Sequence, residues 1–375
     1  MGTGDKLSKI KKESGAIDQI SKFGSDMVNE IYGNKSPYFT TPVRSRSNII
    51  YDDKEGLLTL GKSEEERNFM NIAQTKKFMQ TIAIASKCHT FLKENLHTSI
   101  RGLFYQLKYS LGEDIDENLF NEQSESNPLI EDLEAALGLK REDLNLSADR
   151  KGFLAGNMRV IDTFGDERLE IDASKQGRSG WSIPSDVDNN MEFIDVKAKY
   201  VLVVEKDAVW QRLNEDKFWQ KENAILITPK GQASRGTRRL IRKLSDLGLP
   251  IYVFNDCDAW GWYIYWTIKT GSMNLAYISN EIATPKARFL GVTMSDIENY
   301  DFLKKLTMKT TDIDIKRAQE MLSYPWISKH KEWVIELKKV IQTKTKLEQD
   351  SLQGPKLTFI GEYIREKIKN QTFLP

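Results

Sequence analysis

Residues 200–205 read YVLVVE, residues 224–227 read AILI, and residues 251–258 read IYVFNDCD. Each opens as a short run of β-branched and aliphatic residues without polar alternation, the pattern of a strand covered on both faces. Between them, residues 207–213 and 237–247 carry helix-like spacing. Strands alternating with helices predict βαβ units and a parallel sheet, hence an α/β domain. In such a sheet, ligands collect beyond the carboxyl ends of the strands. That edge receives Glu205 from the first strand and Asp256 and Asp258 from the third. Asp256 and Asp258, two apart on an extended segment, point the same way. With Glu205 they can converge on a hard divalent cation, and an all-carboxylate set suits Mg2+ better than zinc. Acids after strands also cap the helices that follow. Asp207 is a weaker candidate ligand for that reason, because it opens the helix after Glu205.

Outward from this sheet, short β-prone runs at residues 158–161, 169–171 and 191–194 follow Arg150, separated by Gly, Ser, Asp and Pro. The final part, from Ile315, reads as mostly helical. Before Arg150 the character differs: Met70, Phe78, Ile82, Phe91, Leu103 and Leu107 belong to a series recurring at three and four positions, which is helical spacing. The chain therefore divides into an N-terminal extension (1–68), a helical domain of helix-turn-helix or winged-helix type (69–149) and an α/β domain with C-terminal helices (150–375).

Within the helical domain, His97-Thr98-Ser99 offers hydroxyl caps for a helix starting at Ile100. On that helix Arg101 and Tyr105 are i and i+4 and share one face. A phenol ionises near pH 10, about three units above neutrality, and is a poor nucleophile until something lowers that value or takes its proton. An arginine one turn away favours phenolate and can also hold a phosphate. Alone, one of 13 tyrosines reads as a core or surface residue, and Tyr109, a further turn along, is a competing candidate.

Composition narrows the class. The chain has 375 residues, 39% hydrophobic and 29% charged, enough for two or three cores. Its longest apolar stretch, residues 259–268, is about half a bilayer span, so no membrane partner is expected. A Lys-rich polar start argues against a secretory signal, and two distant cysteines, Cys88 and Cys257, suit a reducing cytoplasm. Three histidines make histidine-based catalysis improbable.

Net charge is +1, so any nucleic-acid contact must come from local patches. Residues 230–243 (KGQASRGTRRLIRK) hold Lys230, Arg235, Arg238, Arg239 and Arg242 with no acid, and would attract phosphate. Residues 109–139 hold no basic residue but include Glu113, Asp114, Asp116 and Glu117, and would repel it. Either run also reads as a solvated face.

Taken in order, SIRGLFY, VVEKD, GQASRGTRRL, NDCDAWGWYIYWTIKTGSMNLAY and DIKRAQEMLSYPW resemble the type IIB topoisomerase family, which comprises the A subunits of archaeal topoisomerase VI and the meiotic double-strand-break initiator. The resemblance runs from about Pro42 to the closing Phe373-Leu374-Pro375. It implies a winged-helix domain carrying a nucleophilic tyrosine, Tyr105, with Arg101 as its phosphate-holding neighbour. It further implies a Toprim domain whose acids Glu205, Asp256 and Asp258 bind Mg2+. Many archaeal relatives read Asp-Gly-Asp-Pro-Trp-Gly where this chain has Asp256-Cys257-Asp258-Ala259-Trp260-Gly261; both acids survive.

The implied reaction joins Tyr105 to a 5′ DNA end as a reversible phosphotyrosine. A homodimer would cut both strands, each tyrosine working with the metal site of the other protomer. The chain carries no GxxxxGK[ST] loop, so ATP must be bound by a partner. The resemblance identifies that partner as the B subunit of topoisomerase VI, in an A2B2 heterotetramer acting on double-stranded DNA. The arm up to about Tyr38 is a candidate docking element. Three rival readings stay open on the residues alone: a recombination initiator that cuts without resealing, a Toprim metal nuclease or primase in which Tyr105 is structural, and a non-enzymatic DNA-binding scaffold.

Overall fold

The computed structural model describes residues 3–112, 115–164 and 167–375. Glu113 and Asp114 of the acidic run, and Met1 and Gly2 of the N-terminal arm, lie outside the described residues. The chain forms two compact units. The first comprises 1–50, 60–149 and 273–277, and the second comprises 51–59, 150–272 and 278–375.

In the first unit, α1 (Thr3–Tyr32) precedes β1 (Tyr38–Pro42), which pairs antiparallel with β2 (Glu64–Asn68). The apolar spacing between Asn68 and Ser110 then gives α2 (Ile72–Lys93) and α3 (Ile100–Leu107). A short hairpin follows, β3 (Ser110–Gly112) with β4 (Ile115–Asn118), and then α4 (Gln123–Leu137). Ile84 and Cys88 of α2, Leu103 and Leu107 of α3 and Leu133 of α4 meet in one core. Ser99 caps α3, its hydroxyl accepting from the Gly102 N–H at 2.9 Å. A Cβ at Gly102 would meet the Thr98 hydroxyl, which would have to shift to make room.

In the second unit, β5 (Phe153–Gly156) leads into β6 (Met158–Phe164), β7 (Glu167–Asp172), β8 (Trp181–Ser182) and β9 (Met191–Val196). The strands β7, β6 and β9 form an antiparallel three-stranded sheet, as the β-prone runs after Arg150 predict. The parallel sheet then builds from β10 (Tyr200–Val204), α5 (Asp207–Glu215), β11 (Ala224–Thr228), α6 (Arg235–Asp246), β12 (Ile251–Phe254), α7 (Ala259–Thr270) and β13 (Arg288–Gly291). The strands β10, β11, β12 and β13 are parallel, with β5 and β8 continuing the sheet antiparallel on the β11 side. Every residue of β10 and β11 is buried, which is why these strands read as unbroken apolar runs. Helices α8 (Asp312–Leu322), α9 (Lys331–Thr343) and α10 (Phe359–Asn370) complete the unit. Among the described residues, no helix is long and apolar enough to cross a membrane.

Candidate active site

Tyr105 lies on the exposed face of α3 with 59% of its surface open. The apolar positions of that helix, Leu103, Phe104 and Leu107, are buried, so the amphipathic pattern turns the phenol outward. Arg101, one turn earlier, places its guanidinium carbon 5.9 Å from the centre of the Tyr105 ring. A hydrogen bond from Arg101, together with its charge, lowers the Tyr105 pKa below the ordinary phenol value, and Lys108 adds to this. Tyr109 is not a further turn along: α3 ends at Leu107, Lys108 is its C-cap, and Tyr109 lies beyond the helix. The i, i+4 relation to Arg101 therefore belongs to Tyr105.

The second constellation lies at the carboxyl edge of the parallel sheet. Glu205 follows β10 directly, and Asp256 and Asp258 follow β12. The Asp256 N–H donates to Glu205 Oε2 at 3.1 Å, which ties the two strand ends together. Asp258 caps α7 by accepting from the Gly261 N–H at 2.7 Å, so the capping role and the cluster coincide in one residue. Gly261 is part of the construction, because a Cβ there would stand 2.7 Å from the Asp256 carbonyl oxygen and 3.2 Å from Glu205 Oε2. Asp207 opens α5 and pairs with Lys230 at 3.2 Å.

Burial and mutual repulsion dominate the electrostatics. Burial, then the neighbouring Asp256 charge, pushes the Glu205 carboxyl up to about 8. Burial likewise raises Asp256 and Asp258 above the ordinary carboxylate range. Among the described residues, no three acid, histidine or cysteine side chains are already gathered as a complete metal-binding set. The donors nevertheless fit Mg2+ in kind: three hard oxygen groups at one edge, buried and in repulsive proximity, are what a divalent cation relieves.

The Glu205 shift sets a stability expectation. Folding raises its pKa from 4.5 to about 8, so across that interval the folded chain holds a proton that the unfolded chain has released. Stability should fall as pH rises through that window. Glu205→Gln should match the wild type at pH 4, below the unfolded-state pKa, and exceed it by roughly 2–4 kcal/mol at pH 8, measured by urea unfolding in the presence of chelator. Equal curves at both pH values would refute the shift.

Two features of the edge had no local signal. A segment far along the chain straps the Asp256 turn: Cys257 and Leu347 exchange backbone hydrogen bonds of 2.8 and 3.1 Å, and the Gln349 N–H donates to Asp256 Oδ1 at 2.8 Å. Lys206 then reaches Asp256 Oδ2 at 3.2 Å, Glu348 at 2.9 Å and Asp350 at 3.0 Å. The pattern Glu348-x-Asp350 was the available clue, but nothing in the sequence links it to Asp256. Cys257 itself is fully buried, its thiol pushed well up by burial, and it contributes its backbone to the strap.

The basic segment is placed differently from a solvated face. Lys230 is the most exposed of its five candidates, its ammonium 4.3 Å from the centre of the Phe153 ring. Arg235 and Arg238 are buried in α6, Arg238 to 2% exposure with Nε and Nη2 unpartnered, and burial lowers its pKa to about 9. Arg239 pairs with Asp188 at 2.7 Å and donates to the Glu281 carbonyl at 2.6 Å. Arg242 pairs with Asp246 at 2.8 Å and donates to the carbonyls of Asn280 and Ala283 at 2.9 and 3.0 Å.

Comparison with known proteins covers nearly the full length of the chain. Residues 200–368 match the model of the Toprim domain shared by Spo11 and the topoisomerase 6 A subunit. Residues 76–146 match type IIB DNA topoisomerase, and residues 151–197 match the all-beta domain of the DNA topoisomerase VI alpha subunit. The A subunit of type 2 DNA topoisomerase 6 from Pyrococcus abyssi is 41% identical over 96% of this chain and 95% of its own. The corresponding proteins of Aeropyrum pernix (40%, covering 98% and 97%) and Methanocaldococcus jannaschii (33%, covering 99% and 100%) are also similar. With a Toprim domain matched over residues 200–368 and relatives matched nearly end to end, the chain belongs to the type IIB DNA topoisomerase family of Spo11 and the topoisomerase 6 A subunits.

Proposed function

We propose that this chain is the DNA-cleaving and rejoining component of a type IIB topoisomerase, with Tyr105 as nucleophile. The observation that carries the reading is the exposed Tyr105 phenol beside Arg101, held below the ordinary phenol pKa by that arginine. In this reading residues 69–149 act as a winged-helix domain, with α3 presenting the tyrosine. Tyr105 Oη attacks a backbone phosphorus and the 3′ oxygen leaves, so the protein stays joined to the 5′ end. The reverse attack by that hydroxyl reseals the strand without an external energy source, because the phosphodiester is exchanged and not hydrolysed. Arg101 favours the phenolate and can pair with the phosphate.

Glu205, Asp256 and Asp258 would hold Mg2+, which would supply charge stabilisation at the phosphoryl group and the leaving oxygen. The acid cluster itself orients the strand ends that carry it, through the Asp256 N–H to Glu205 bond. Lys230 and the arginines of α6 are proposed on the DNA side of the Toprim unit, Lys230 as the directly exposed contact and Arg235, Arg238, Arg239 and Arg242 as the basic framework behind it. Double-stranded DNA is the substrate in this reading, cut by a homodimer in the cytoplasm. A topoisomerase VI B subunit would bind ATP and drive strand passage within an A2B2 heterotetramer.

The test is a denaturant-trapped cleavage assay on supercoiled plasmid with Mg2+, a topoisomerase VI B subunit and a non-hydrolysable ATP analogue. Protein attached to 5′ DNA ends, dependent on Mg2+ and absent from Tyr105→Phe, supports the assignment. Breaks that form equally in the variant would point instead to a Toprim metal nuclease.

A further inference from the structure

Lys206 follows Glu205 directly at the end of β10, so the residue after a candidate metal ligand is a cation. Its ammonium is shared among three carboxylates, 3.2 Å from Asp256 Oδ2, 2.9 Å from Glu348 Oε2 and 3.0 Å from Asp350 Oδ2. Glu348 and Asp350 are brought there by the strap, whose Leu347 pairs with the Cys257 backbone and whose Gln349 N–H holds the other Asp256 oxygen. The two oxygens of Asp256 are thus divided between the strap backbone and the lysine. A divalent ion on Asp256 has to contend with a positive charge already placed within one ion-pair distance of it. Unit charges at such separations interact strongly unless fully screened, and Lys206 is three-quarters shielded from solvent.

We propose that Lys206 is a tethered counter-cation of this centre and a positioning residue, shared between Asp256 and the strap carboxylates. Glu348 and Asp350 hold the ammonium so that it does not displace a divalent ion from Asp256. The strap carboxylates then tune cation affinity at the sheet edge through the lysine and not as metal ligands themselves. This inference rests on the reading of Glu205, Asp256 and Asp258 as a divalent-cation centre.

The test is Mn2+ binding to the full chain, followed by loss of the free-Mn2+ electron paramagnetic resonance signal, which needs neither DNA nor activity. Wild type should bind and Asp256→Asn should bind at least about ten-fold more weakly, as expected for losing a charged ligand. Lys206→Gln should bind about ten-fold or more tightly than wild type, because a repelling charge has gone. The double variant Glu348→Gln/Asp350→Asn should bind about ten-fold more weakly, because the lysine is left to Asp256 alone. In the Lys206→Gln background the same double substitution should have little further effect, since it acts through the lysine.

Unchanged or weaker binding by Lys206→Gln would overturn the inference while leaving the metal centre standing. Additive losses from the strap substitutions with and without Lys206 would overturn it too, by showing a direct contribution of those carboxylates. Absence of Mn2+ binding by the wild type would remove both the centre and the inference. Unfolding curves for each variant separate these outcomes from simple loss of the fold.

Discussion

Tyr105→Phe is expected to lower covalent protein–DNA complexes by at least about a thousand-fold, as removal of a sole nucleophile does in other covalent catalysts. The substitution deletes one oxygen from a ring that is 59% exposed, so stability should stay close to that of the wild type. DNA affinity should change little, and its steep fall with salt should be retained. That combination separates loss of chemistry from loss of substrate. Arg101 adds a pH dependence with a defined sign. Its hydrogen bond and charge favour phenolate, so the wild-type phenol loses its proton at lower pH than an unassisted one. Cleavage should rise with pH, and in Arg101→Ala that rise should move to more alkaline pH. Arg101→Lys should restore the position of the rise only in part, since it keeps the charge but not the planar fork that pairs with phosphate. A profile unmoved by Arg101→Ala would separate the arginine from the ionisation of Tyr105.

Asp256→Ala is expected to reduce Mg2+-dependent cleavage by two to three orders of magnitude, the scale of losing several kcal/mol of charge stabilisation at a phosphoryl group. Salt-sensitive DNA binding should persist, because Lys230, the exposed cation of the basic segment, is untouched by the substitution. Asp256 has a second role that the variant also removes. Its Oδ1 accepts the Gln349 N–H and its Oδ2 faces Lys206, and leaving a buried N–H without an acceptor costs about 1–3 kcal/mol. Asp256→Asn retains an acceptor of the same shape, so it should recover most of that stability and none of the cleavage. If cleavage were undiminished in both variants, Asp256 would not be a metal ligand.

Much of the α/β unit was legible because its signals are local. Strands Tyr200–Val204 and Ile251–Phe254 were bounded correctly and Ala224–Thr228 to within one residue, since a strand buried on both faces carries an unbroken apolar run. Phe153–Gly156 and Arg288–Gly291 extend the same sheet but were not anticipated. Each has four residues and ends in glycine, which weakens a strand signal, and the first runs antiparallel to its neighbour. The helix carrying Arg101 and Tyr105 was also legible, from its cap at Ser99 and its period. The further turn expected to carry Tyr109 is absent, because the chain leaves the helix at Lys108.

By itself the sequence determined the α/β class of the second unit, the family, the three carboxylates at the strand ends and the shared face of Arg101 and Tyr105. All but the family follow from neighbours along the chain, through strand period, helix period and the rule that the carboxyl edge of a parallel sheet collects ligands; the family follows from the order of long motifs. The tertiary structure alone decided where the charges of residues 230–243 go and what surrounds Asp256. A run of arginines reads as a phosphate-seeking face, yet Arg239 and Arg242 end on Asp188, on Asp246 and on the carbonyls of residues 280, 281 and 283, while Arg238 is buried. The partners of Lys206 are supplied by residues 345–353, which fold back over Asp256. Partners supplied by remote segments leave no periodicity, and burial depends on what packs over a residue, so neither is encoded in local spacing.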